Sequence, residues 1–212
     1  MNTKYRKSDF KIEQIHGKNP SKSSREACIR NYIFGARILL INYTKDKITK
    51  IRIIGYEIPI YARDKKRDEC IDLVGYDESF HPWIIELKIG KSSELLDDVV
   101  SQVNRYASAF GKGIRGPIQD EVRARLLWPT FSFEGAVNRM ILADRSFYAR
   151  HYAGHKEHPE NSDNIVFCSF SGYTDEKTLL ETPRSMVKLK VEKKLTSGAK
   201  GPCTSAPDAV HY

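Results

Sequence analysis

Apolar and polar positions change period several times along the chain, and each change marks an element. Ala27, Ile29, Tyr32, Ile33, Ala36, Leu39 and Leu40 recur at helical spacing and predict an amphipathic helix with Ser23 or Ser24 as N-cap. Residues 42–50 are polar and turn-like, and the β-branched run over 51–60 predicts a strand that ends near Pro59. Two shorter runs, 70–76 and 84–88, flank the turn-rich segment 77–82 and predict a hairpin. Centred on Ser79, it sets Tyr76 opposite Pro82, Val74 opposite Ile84 and Asp72 opposite Glu86. Helical spacing returns over 94–110, with Leu95, Leu96, Val99, Val100, Val103, Ala107 and Phe110 as the stripe and Ser92 and Ser93 as available caps. Gly113, Gly116 and Pro117 then mark an insertion with a short helix at 119–127, followed by a strand at 137–144, a helix at 145–152 and a strand at 165–170. Residues 186–191 alternate as an edge strand with lysines outward. The order predicts an α/β domain over 24–195, a mixed sheet flanked by helices, between a flexible basic arm at 1–23 and a disordered tail at 196–212.

Chemistry concentrates in the hairpin. Glu86 and Lys88 lie two apart on a strand and project from one face, and Asp72 opposite brings a second carboxylate to within roughly 5 Å, Cβ to Cβ. Two such carboxylates repel unless a cation sits between them or one takes a proton. Oxygen donors of this kind suit Mg²⁺, with Mn²⁺ as a substitute. Lys88 beside them is fit to prepare a water and offset charge on a phosphorane, so the chemistry indicated is phosphodiester hydrolysis. Glu26, in a first helical turn, gains about 0.3–1 kcal/mol from the helix dipole. Glu57, late in a buried strand, needs a partner or a metal. Gln102 and Tyr106, four apart, share a helix face and alone read as a polar rim with a half-buried tyrosine.

Asp72, then Glu86-Leu87-Lys88, then Gln102-Val103-Asn104-Arg105-Tyr106 resembles the Asp…Glu-x-Lys signature and following Gln-x-x-x-Tyr helix of the PD-(D/E)XK nuclease superfamily, in its RecB-like branch and the nuclease domain of NucS-type mismatch endonucleases. Ile71 stands where the signature has its nominal proline. The resemblance covers about residues 24–170 and implies a restriction-endonuclease-like α/β/α core. It implies Asp72, Glu86 and the Leu87 carbonyl as Mg²⁺ ligands, with Glu26 and Glu57 as candidate extra ligands. It also implies Lys88 as the group that prepares the attacking water, and Gln102 and Tyr106 as supports for substrate placement. DNA is the implied substrate and endonuclease cleavage the implied mode. The N-terminal DNA-binding domain of NucS-type proteins and the late cysteine group of iron-sulfur RecB-like nucleases have no counterpart. A lapsed nucleic-acid-binding module on the same scaffold and an RNA nuclease are the alternatives.

Charge and composition agree with a polyanionic partner. The 212 residues carry a formal net charge of +8, with 40% hydrophobic and 29% charged residues, ordinary for a single soluble domain. Lys65 and Lys66, in the charged segment 61–69, are candidate DNA-backbone contacts. Cys28, Cys70, Cys168 and Cys203 form no C-x-x-C pair, which fits a reducing cytoplasm, and no run is long enough to span a membrane. His151, His155 and His158 lack the partners of a zinc site, and Ile85 replaces the first glycine that a phosphate-binding loop ending at Gly90-Lys91-Ser92 would need. With one domain, a homodimer or a protein partner is one expected source of target choice.

Overall fold

A computed structural model describes residues 11–12, 25–44, 47–60, 69–152, 165–170 and 187–191. Most of the arm, the lysines at 65 and 66, His155, His158 and the tail lie outside these. The order is β1 (Lys11–Ile12), α1 (Arg25–Ala36), β2 (Ile38–Thr44), β3 (Lys47–Ile60), β4 (Glu69–Tyr76), β5 (Pro82–Lys88), α2 (Leu96–Ala109), a π-helical turn (Phe110–Ile114), α3 (Arg115–Arg125), β6 (Asn138–Asp144), α4 (Arg145–Tyr152), β7 (Ile165–Phe170) and β8 (Val187–Val191). The strands form one mixed sheet, and helices pack on both of its faces.

The long strand β3 organises this sheet. Its first half, to Arg52, pairs antiparallel with β2, and its second half pairs antiparallel with β4. β5 pairs antiparallel with β4 and parallel with β6, β6 parallel with β7, and β8 joins β7 to β2, so the ladder returns on itself. One face curls around α1: Ile29, Tyr32 and Ile33 are buried against Leu39, Ile51, Leu73, Ile85, Leu87, Met140 and Cys168. The opposite face carries α2 and α3, where Tyr106, Phe110, Ile118 and Val122 meet Ile58, Val74 and Ile84, together with Phe131 and Phe133. Alternation of side chains along β4 and β5 feeds both cores, as period two requires.

Five expectations are corrected. Leu39 and Leu40 continue the helical spacing but belong to β2. The helix ends because Arg37 adopts φ 65°, its carbonyl then accepting the Ile53 N–H at 2.8 Å, and Ile38–Thr44 offers a better strand than helix. Residues 47–50, read as turn, belong to β3. The strand Val187–Val191 is internal, paired on both sides, and is not an edge. Helix α2 starts at Leu96, capped by no side chain, and continues through the π turn into α3, so the glycine-bearing stretch is helical. Pro117 lies in the first turn of α3, directly after the π turn. The hairpin keeps the expected register, Tyr76 with Pro82 and Val74 with Ile84.

A carboxylate row between two helices

The candidate site lies where β4 and β5 part. Their last paired residues are Leu73 and Ile85. One step further Asp72 turns its carboxylate into the gap and accepts the Leu87 N–H through Oδ2 at 2.9 Å, in place of a backbone carbonyl. On its other side, Glu57 falls between the register pairs Tyr56–Leu73 and Ile58–Ile71, which sets it opposite Asp72. Glu57, Asp72 and Glu86 therefore occupy one row across three strands. Glu57 has φ 44°, left-handed backbone that a non-glycine residue holds only when its surroundings over-determine it.

Both flanking helices reach this row. From α1, Arg30 ion-pairs with Glu57 and, at 3.3 Å, with Asp72 Oδ1. Glu26, one turn earlier on the same helix face, comes under the fields of Asp72, Lys88, Arg30 and Glu94. Lys88 Nζ bridges Glu86 at 2.9 Å and Glu94 at 2.5 Å. From α2, Tyr106 is buried beside Glu86, and its hydroxyl accepts a hydrogen bond from Gln102 Nε2. The turn after β5 is fixed from behind: Asp144 Oδ2 accepts the Gly90 N–H at 2.6 Å, and Arg150 donates to the Ser92 carbonyl at 2.7 Å. A Cβ on Gly90 would meet Ser146 Oγ at 1.7 Å and Asp144 Oδ1 at 2.8 Å, so any larger residue would displace the Ser146 hydroxyl from its bond to Asp144.

Electrostatics follow from crowding acids in a dry place. Burial pushes the Glu26 carboxyl up to about 6, with the Asp72 charge adding to it. Burial also raises Asp72, against the Leu87 N–H and the Arg30 guanidinium, which favour its ionised form. Glu86 stands well above its ordinary value, first through burial and then through the Asp72 charge. For Lys88, burial favours the neutral amine but Glu86 and Glu94 outweigh it, so the ammonium is held more firmly than usual. Burial, then Glu86, likewise raises the Tyr106 phenol. Five carboxylates, from Glu26, Glu57, Asp72, Glu86 and Glu94, thus face two cations, Arg30 and Lys88.

Glu86 Oε2 is buried and has no hydrogen-bond partner among the described residues. Such an atom costs about 1–3 kcal/mol, more when charged, unless something meets it. No group of three His, Cys, Asp or Glu side chains among the described residues is arranged to hold a metal ion. The donors at hand are the Asp72 and Glu86 carboxylates, of which Glu86 Oε2 is the oxygen without a partner, and such a pair fits an ion that takes one or two carboxylates and keeps its waters, as Mg²⁺ does. Glu57 is committed to Arg30.

All of the sequence-derived site residues meet here, Glu26, Glu57, Asp72, Glu86, Leu87, Lys88, Gln102 and Tyr106. Arg30 and the pairing role of Glu94 went unread. Arg30 stands four residues after Glu26, a helix-face signal that was available. The bond from Glu94 to Lys88 depends on how the intervening turn folds back. His151 is buried against the Phe147 ring, centroids 4.6 Å apart. No helix among the described residues is long and apolar enough to cross a membrane. Comparison with protein-family models, curated proteins and solved structures gave no match.

Proposed function

We propose that the chain is a Mg²⁺-dependent nuclease of the PD-(D/E)XK type, with a restriction-endonuclease-like core, that hydrolyses DNA phosphodiester bonds. The observation that carries this reading is the convergence of Asp72, Glu86 and Lys88 at the strand parting, with one Glu86 oxygen buried and without a hydrogen-bond partner among the described residues. Asp72, Glu86 and the Leu87 carbonyl would hold the ion, with Glu26 as the nearest further acid; bound there, it supplies Lewis-acid stabilisation of phosphate charge. The chain's own groups do the rest. Asp72, fixed by the Leu87 N–H, and Glu86, fixed by Lys88, are oriented before substrate arrives, which spares reorganisation during reaction. Lys88, firmly protonated between two acids, orients the attacking water and offsets charge on the phosphorane by donating hydrogen bonds. Tyr106, hydrogen-bonded by Gln102 and close to Glu86, would with it support substrate placement. The net charge of +8 favours the polyanionic substrate.

A second reading, a binding module whose catalysis has lapsed, has one observation in its favour. Arg30 already neutralises Asp72 and Glu57, as an internal cation would in a site that holds no metal. The two readings part in one assay. Supercoiled, linear and single-stranded DNA, and RNA in parallel, are incubated with the chain in Mg²⁺, Mn²⁺ or EDTA. We expect metal-dependent DNA cutting, reduced by a factor of about 10²–10⁴ in Lys88→Ala and lost in Asp72→Ala. Cutting of RNA alone would move the substrate class, and binding without cutting by the native chain would favour the lapsed module.

A further inference from the structure

At the other end of the β4–β5 hairpin lies a pocket of about 390 Å³, lined by Lys50, Arg52, Tyr76, Asp77, Glu78, Phe80 and Trp128. Its volume falls within the range of small-ligand sites. Three aromatic rings form its wall. Tyr76 and Phe80 stack with centroids 5.6 Å apart and planes within 4°, and Trp128 meets Phe80 edge-on at 5.6 Å. Two cations face them. Arg52 is the register partner of Tyr76, and neither Arg52 nor Lys50 has an ion-pair partner among the described residues. Asp77, also in the lining, is turned to other donors. Its Oδ1 accepts the Ser79 and His81 N–H groups at 2.9 and 3.0 Å, and its Oδ2 accepts Trp83 Nε1–H at 3.0 Å.

The backbone around this wall is held against its own preference. Phe80 has φ 61°, fixed by its N–H to the Asp77 carbonyl at 3.0 Å and by its carbonyl accepting the Glu134 N–H at 2.9 Å. Leu127, immediately before Trp128, has φ 50° and is 85% exposed. Left-handed conformations in non-glycine residues are uncommon, and such strain gathers at ligand clamps. Phe80 and Trp128 pack on the core at Tyr76 and Phe131 and each keeps part of its ring exposed toward the pocket.

A ligand that answers this lining needs a flat ring to lie on aromatic faces and an anion for the two cations. We propose that the pocket binds a nucleotide unit, its base against Phe80 and Trp128 and its phosphate on Lys50 and Arg52. Glu78, at the rim, offers an acceptor that a base amino group can meet. The same chemistry comes from two sources, a free nucleotide or an unpaired nucleotide within a strand. Tyr76 lies four residues along β4 from Asp72, about 13 Å at roughly 3.3 Å per residue, so a strand held here would also lie near the carboxylate row. That second source rests on the nuclease reading. Sequence-tolerant stacking of bases on aromatic side chains beside a basic groove is how single strands are held.

The test uses the full chain in EDTA, so that no cutting intervenes. Binding of dAMP is followed by calorimetry, and binding of a labelled single-stranded hexanucleotide by anisotropy. Three chains are compared: native, Lys50→Ala with Arg52→Ala, and Trp128→Leu. The paired lysine and arginine changes remove solvent-facing side chains, so that variant stays informative if Trp128→Leu disturbs the aromatic cluster, which near-ultraviolet circular dichroism will register. We expect the affected ligand to bind at least about tenfold more weakly in both variants. Loss for dAMP and the hexanucleotide together supports either source; loss for dAMP alone supports a free nucleotide, and for the hexanucleotide alone a nucleotide within a strand. Native-like binding of both ligands in the Lys50→Ala, Arg52→Ala chain, or no binding of either by the native chain, overturns the proposal. Cutting in Mg²⁺ is scored separately: pocket-dependent binding by a chain that never cuts removes the nuclease reading and leaves the pocket standing.

Discussion

A carboxylate in the first turn of a helix normally gains from the dipole, yet Glu26 is pushed up to about 6. The magnitudes decide which effect wins. A rise from 4.5 to about 6 corresponds to roughly 2 kcal/mol, which solvent screening of a partly exposed group reduces to about 1 to 1.5, against about 0.3–1 from the dipole. Burial beside Asp72 prevails. Because the folded state binds this proton more tightly than the unfolded chain, the protonated acid is tolerated and the ionised one costs stability. That cost is absent below about pH 4.5 and grows as pH rises through about 6. Asp72 and Glu86, also raised, push in the same direction. Glu26→Gln is therefore expected to stabilise the metal-free chain at pH 7.5 by about 0.5–1 kcal/mol, a rise of roughly 1–4 °C in Tm. Thermal unfolding from pH 4 to 8 in EDTA checks this; a gain that persists at pH 4, or a loss at pH 7.5, would contradict the electrostatic account. With Mg²⁺ present the gain should shrink, since an ion among the acids favours their ionised forms.

At the scale of elements, helix ends hold the main surprises. Helix α3 is followed by Leu127 in the left-handed conformation, at the position after a helix where glycine is usual. Its side chain is exposed, so Leu127→Gly removes strain and little packing, and should stabilise the chain by about 1 kcal/mol. Urea unfolding with an unchanged slope will test it, and a lower midpoint would mean that the leucine makes contacts worth more than the strain. Helix α1 ends in the same way at Arg37, whose guanidinium lies over the Phe34 ring at 3.9 Å. Nothing in the sequence marks these stops, because arginine and leucine both favour helix. That is why Leu39 and Leu40, three and four residues beyond Ala36, pass for another helical turn when they begin β2. The hairpin was legible for the opposite reason. The segment Asp77-Glu78-Ser79-Phe80-His81-Pro82 carries its turn chemistry locally, Asp77 accepting two backbone N–H groups, and short-range register follows from the turn. Asp72, Glu86 and Lys88 were readable because that one hairpin brings them together. Glu57 joins their row only through the pairing of β3 with β4, and its partner Arg30 only through the packing of α1.

At the scale of the molecule, closure of the sheet sets what the chain can lose. Residues 187–191 look dispensable in sequence, a short lysine-bearing strand close to a polar tail. In the fold they pair parallel with Leu39 to Asn42 of β2 and antiparallel with Cys168 and Ser169 of β7. Removing them opens two strand edges at once. It also frees the main chain of β2 and β7, whose Leu39, Ile41 and Cys168 belong to the α1 core. Each lost ladder bond costs about 1 kcal/mol net, and the two unpaired edges become templates for association. A chain ending at residue 186 should therefore be several kcal/mol less stable than the full chain and should aggregate at concentrations where the full chain does not. Equilibrium unfolding with light scattering in parallel measures both. The carboxylate row would suffer with it, since α1 carries Glu26 and Arg30 and is held by the curled face that β8 completes. If the shortened chain instead unfolds at the full chain's midpoint and stays monomeric, β8 adds nothing to closure, and β2 with β3 and β4 suffices to seat α1 against Asp72.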